Sequence, residues 1–140
     1  MGAELPKAIH DRLARDERLA GMLTTFNGSP AVFYGEPPER AELPCVQVGV
    51  TLGEEPRDTK LTRGRLITRE VIVLAERNGD EAAVDKIAER VCDLLHNGAL
   101  DVHGYDVVSS RVVDGPRNAN EGDAYGRTLQ VRVWLQEARS

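Results

Sequence analysis

Cys92 and His96 stand four positions apart in a stretch of helical apolar spacing, so both side chains leave one helix face and could offer two ligands to a metal ion. Nothing completes the set: His10 and His103 lie in unrelated contexts, and Cys45 has no partner at a ligand spacing. His96 is therefore read as a helix-end imidazole interacting with the helix dipole, and the two cysteines as buried free thiols. Glu81, Asp85 and Glu89 repeat at i, i+4, i+8 with Lys86 and Arg90 between them. Such a ridge could serve acid–base or divalent-cation chemistry. It lies off the stripe of Val84, Ile87 and Val91, so the expectation is a solvated or subunit-facing surface. A phosphate-binding loop, a dinucleotide fingerprint, a zinc-protease helix and a nucleophile elbow are all missing from the sequence. No catalytic residue, metal or cofactor is expected.

Charge is distributed unevenly. Arg57, Lys60, Arg63, Arg65 and Arg69 face only one acid, Asp58, whereas Asp80, Glu81, Asp85, Glu89 and Asp93 outnumber Lys86 and Arg90. A basic segment and an acidic helix on one small chain suit head-to-tail contacts between copies, which close into rings when the rotation permits. Two unconnected solvated faces would give the same pattern. Trp134 falls on the outward side of an alternating strand and is read either as a subunit contact or as packed under the N-terminal helix.

The elements that must hold these residues follow from periodicity. Ile9, Leu13, Leu19, Met22 and Leu23 predict one helix across 6–25, with Pro6 in its first turn. Asn27-Gly28 is a turn before the short strand Ala31 to Tyr34, and Pro37, Pro38 and Pro44 make Gly35 to Pro44 a loop. Alternation from Cys45 predicts a strand with Val46, Val48, Val50 and Leu52 on its core face. A polar loop, Gly53 to Gly64, joins it to a β-branched strand, Arg65 to Glu76, giving a long hairpin. Asn78-Gly79-Asp80 is a turn that caps an amphipathic helix. Val84, Ile87, Ala88, Val91, Leu94 and Leu95 form its apolar face, and a left-handed Gly98 closes it. Strands Tyr105 to Asp114 and Tyr125 to Gln136 flank the polar segment Gly115 to Asp123. In the last strand Leu129, Val131, Val133 and Leu135 face the core. This order lacks the βαβα alternation of a parallel doubly wound sheet. The prediction is an α+β fold, a mostly antiparallel sheet with the amphipathic helix packed on one face. The N-terminal helix lies beside it or against a neighbouring subunit.

Composition sets the outer bounds. With 140 residues, 41% hydrophobic and 29% charged, the chain is expected to form a single domain spanning 1–140 that needs no disulfide or metal for stability. The net charge of −5 argues against a dedicated nucleic-acid binder. No apolar run approaches the ~20 residues that a bilayer crossing needs, and the charged N-terminus lacks a signal-peptide pattern. Folding in a cytosol, with no membrane contact, is the expectation.

The layout resembles the tail completion, or tail terminator, proteins of long-tailed bacteriophages and related particles. The likeness runs from the N-terminal helix through the Pro-rich segment into Leu43-Pro44-Cys45-Val46, the arm Asp58-Thr59-Lys60 and the strand Val71-Ile72-Val73-Leu74. It continues with the helix opened by Gly79-Asp80-Glu81-Ala82 and a last strand Gly126-Arg127-Thr128-Leu129-Gln130-Val131-Arg132-Val133. The resemblance implies a structural virion protein that forms a ring, usually of six copies, on the head-proximal end of the tail tube. Such a ring ends tube polymerisation and meets the head connector, and DNA passes through its lumen without specific binding. On this reading Arg57, Asp58, Thr59, Lys60, Arg63, Arg65 and Trp134 are candidates for the subunit or tube interface. Arg117, Asn118, Asn120 and Asp123 are candidates for a loop that orders on assembly. The alternatives are another neck component, such as a stopper or adaptor ring, and a small ligand-binding domain or enzyme.

Overall fold

The computed structural model describes residues 4–35, 37–38, 41–77, 81–120 and 122–138. Helices α1 (Glu4–Ala14) and α2 (Glu17–Ala20) open the chain, followed by short strands β1 (Thr25–Phe26), β2 (Ser29–Pro30) and β3 (Val32–Tyr34). The long hairpin β4 (Cys45–Pro56) and β5 (Gly64–Glu76) leads to helix α3 (Glu81–Leu95), and a second long hairpin, β6 (Tyr105–Asn118) and β7 (Ala124–Glu137), ends the chain. One five-stranded sheet has the order β3-β4-β5-β7-β6, antiparallel except for the parallel pair β3 and β4. The α+β class and the mostly antiparallel sheet agree with the pattern in the sequence.

The predicted single N-terminal helix is two. Asp16 adopts an extended conformation (φ −79°, ψ 115°) and its carboxylate accepts the Leu19 amide, capping α2. An aspartate inside an amphipathic pattern can offer the backbone this alternative bond and end the helix where periodicity alone would continue it. Asn27 and Gly28 both have positive φ, as a two-residue hairpin turn demands, and they join β1 to β2. The turn and cap read at Asn78-Gly79-Asp80 lie outside the described residues.

Alternation selects the faces of the sheet. Val71, Val73 and Ala75 of β5, with Leu129, Val131, Val133 and Leu135 of β7, are buried against the α3 stripe of Val84, Ile87, Ala88, Val91, Leu94 and Leu95. Helix α1 packs beside α3 on that face, burying Leu5, Ile9 and Leu13 and bonding Arg12 Nε to the Leu94 carbonyl at 3.2 Å. The N-terminal helix is thus satisfied within its own chain.

Two boundary readings need correction. The β4 strand continues to Pro56 instead of stopping near Leu52, and only Val46 and Val48 of its expected core face are buried. Val50 is 63% and Leu52 45% exposed, because the ladder to β5 shifts register between Val48 and Thr51 and again between Thr51 and Gly53. At the end of α3 the left-handed residue is Asn97 (φ 56°), not Gly98. Gly98 is needed for a different reason, since a Cβ there would strike the Leu94 carbonyl.

Candidate assembly site

The loop between β4 and β5 is ordered by its own polar side chains. Asp58 Oδ1 accepts the Gly64 amide at 2.9 Å, Thr59 Oγ1 accepts the Thr62 amide at 3.1 Å, and Thr59 N donates to the Thr62 carbonyl at 2.9 Å. Aspartate and threonine side chains that fold back on nearby amides are what hold such turns. Lys60 and Arg63 stay exposed on this scaffold, and Leu61, between them, is 82% exposed.

The remaining basic residues have work within the chain. The Arg57 guanidinium lies 5.3 Å from the centroid of the Trp134 ring, a cation–π contact across the hairpin base. Arg65 Nε is 3.8 Å from Glu54 Oε1. Arg69 reaches across to β4, bonding the Thr51 hydroxyl at 2.6 Å and the Gly49 carbonyl, and burial pulls its pKa below the ordinary value. Of the predicted basic segment, Lys60 and Arg63 are exposed on the hydrogen-bonded tip with no ion pair among the described residues. Trp134 stands on the sheet face opposite Val133 and Leu135, so it is not under the N-terminal helix.

The second candidate segment is shorter than the sequence suggested, because β6 runs to Asn118. Gly115 has φ 86°, and any Cβ there would meet the Thr128 carbonyl, so only glycine suits this bend of β6. Arg117 Nε donates to Asp114 Oδ1 at 2.7 Å. Asn118 Oδ1 accepts the Asn120 amide at 3.0 Å, and Asn120 Oδ1 accepts the Gly126 amide at 3.0 Å. The Asp123 carbonyl accepts the Arg77 amide at 3.0 Å. These residues stitch the β6–β7 connection, and they sit on a different part of the molecule from the β4–β5 tip.

The acidic ridge of α3 is only partly free. Arg127, 7% exposed, donates from Nε to Asp85 Oδ1 at 2.7 Å and from Nη2 to Glu81 Oε1 at 2.8 Å. Its Nη1 bonds the Asn120 side chain at 3.2 Å and the Gly126 carbonyl at 2.8 Å. The Glu81 hydrogen bond, opposed by burial and aided by Asp85, raises the Arg127 pKa. The ridge is exposed, as expected, and two of its members, Glu81 and Asp85, also anchor α3 to β7 through Arg127. Spacing on one helix could not reveal a partner 42 residues away.

His96 ends α3 as expected but acts on the sheet. Its Nδ1 accepts the Val112 amide at 3.1 Å while the Asn97 amide donates to the Ser110 carbonyl at 2.7 Å. Cys45 is a buried thiol whose pKa burial pushes up to about 11. Cys92 is half-buried, with its pKa also raised by burial. Among the described residues no cluster of histidine, cysteine and carboxylate side chains could hold a metal ion. A groove of about 760 Å³ between α1 and residues 99–103 mixes Glu4, Asp11, Asp16 and Asp101 with Lys7, Arg12, Arg15 and His103 and brings no nucleophile into line with a base.

The family model of the tail completion protein gp17 matches residues 7–136. The chain belongs to the tail completion protein family. Among solved structures, a chain in the virion of a native gene transfer agent particle superposes with a TM-score of 0.78. The two are 21% identical over 96% of each chain, which shows the shared fold. No curated protein matches the sequence. As a tail completion protein, the chain is a structural component of a phage-like virion.

Proposed function

We propose that the protein forms a ring, of six copies, on the head-proximal end of a tail tube, where it ends tube polymerisation and joins the tail to the head connector. The observation that carries this reading is the family match over 7–136. The ordered tip Arg57–Arg63, held out beyond the core by β4 and β5, supports it as the part that reaches a tube subunit or neighbour. A preformed tip binds without first losing loop entropy. The reading assigns no catalytic step. DNA passes the lumen without specific binding, consistent with the net charge of −5. The ring assembles in the bacterial cytoplasm and remains in the virion at the tail neck.

The test is light scattering over a concentration series, with negative-stain imaging of the protein mixed with its tail tubes. A six-copy ring capping one tube end supports the reading. Protein that joins connectors but ignores tube ends points to a stopper or adaptor instead. Protein that ignores both overturns the proposal. The triple variant Arg57→Ala, Lys60→Ala, Arg63→Ala should keep its fold by circular dichroism and lose tube joining; normal joining would remove the tip from the interface.

A further inference from the structure

Six large apolar side chains are exposed among the described residues, and four of them, Val50, Leu52, Val108 and Val113, share one feature. Each lies where a ladder shifts register, Val50 and Leu52 on β4 and Val108 and Val113 on β6. A bulge re-aims the side chain it frees. Here the freed side chains are aliphatic, while Glu54, Glu55 and Pro56 on the same stretch of β4 and Pro116 on β6 discourage indiscriminate strand pairing, which leaves side-chain contact as the mode of association. The β3 strand pairs with Val46, Gln47 and Val48, and among the described residues no strand lies beside the outer side of β4 from Gly49 to Pro56. The other flank of the sheet is β6.

We infer that these two flanks are the two halves of one contact between copies of this chain, the Val50 and Leu52 edge of β4 in one copy against the Val108 and Val113 side of β6 in the next. The inference rests on the ring reading and names its subunit contact. The sheet registers supply the geometry. The Val50 bulge lies opposite Glu70, Glu70 pairs with Gln130, and Gln130 pairs with Asp114 beside Val113. Val50 and Val113 therefore stand at opposite ends of one rung. A neighbour set edge to edge without axial displacement brings them together, and a head-to-tail contact with no axial rise closes into a ring instead of climbing into a filament. The strand directions also agree, since β4 and β6 are antiparallel within the sheet and a neighbour continues that alternation.

Charge supports the same occupant. Arg111 is directly opposite Arg132, and no ion pair among the described residues involves Arg111. Glu55, at the height of Leu66, Trp134 and Ser109, stands two residues along the ladder from Arg111 in a copy placed at equal height, so two long side chains of opposite charge meet in the same part of the contact. The contact is made by side chains: the carbonyl of Ser110 and the amide of Val112 are already bonded by Asn97 and His96.

The experiment uses Val50→Asp and Val113→Asp. Each alone should shift the mass in solution, or the occupancy of tube ends, from ring to monomer with circular dichroism and melting unchanged. Mixed together they should stop at dimers, because each retains the half that the other has lost. In a second arm, Val50→Cys mixed with Val113→Cys should give an oxidised heterodimer above the wild-type background, while neither alone should. Aspartate variants that assemble like wild type, or Val50→Cys alone cross-linking as well as the mixture, would overturn the assignment and leave the ring reading intact. A wild-type protein that neither forms rings nor joins tubes overturns both.

Discussion

Asp16 and Arg90 face each other as two forks, Oδ2 at 2.9 Å from Nε and Oδ1 at 2.7 Å from Nη2, and Oδ2 also accepts the Leu19 amide at 2.9 Å. One carboxylate thereby ends the first helical run, starts the next and ties both to α3. Paired forks of this kind are stronger than a single charged contact and fix orientation as well.

Asp16→Ala is expected to cost about 1–2 kcal/mol, the loss typical of a helix cap, read as a lowered midpoint in urea. The Arg90 hydrogen bond, opposed by burial and aided by Leu19, holds the Asp16 pKa below its ordinary value. The stabilisation is therefore present above the unfolded carboxylate pKa and is lost as pH falls through the lower folded value. Wild type should lose stability across that acid window more steeply than Asp16→Asn.

Arg127→Ala should be the costlier break, about 2–3 kcal/mol, because it removes a buried guanidinium bonded through all three nitrogens. Its two carboxylate partners are half exposed or more and regain water when it is lost. Glu81→Gln and Asp85→Asn should each cost roughly 1 kcal/mol or less. Equal losses from all three in thermal melts would contradict this asymmetry.

The thiols should separate by rate. Cys92 is expected to react with an aromatic disulfide reagent in the native state, and Cys45 only as fast as the protein opens. The Cys45 pKa is raised to about 11 by burial, so its contribution is fully present below the unfolded thiol pKa and lost as pH rises towards 11. Cys45→Ala should flatten the stability profile in that alkaline range.

What could be read from the sequence followed the strength of the local pattern. The α3 stripe and the alternation of β7 are regular, and both elements sit where expected. Val50 and Leu52 continue the rhythm of Val46 and Val48, but two bulges turn them outward; a bulge is set by the partner strand and leaves no mark on the alternating residues themselves. Arg127 and Arg69 were legible only as charges, since their partners come from other elements. The charges of Arg57 to Arg63 mark the tip in the sequence, whereas Leu61 gives no signal because one leucine in a polar run has no period. The break at Asp16 was signalled only by an aspartate that is also acceptable on a helix surface.

The α3 terminus at the flank of β6 also bears on handling and storage. A 14-residue border strand presents unpaired amides and carbonyls to which another chain could add. With Asn97 on the Ser110 carbonyl and His96 on the Val112 amide, the middle of that strand is already occupied. Concentrated preparations should therefore stay clear and redissolve on dilution, and replacing His96 and Asn97 with alanine should bring slow, thioflavin-positive turbidity.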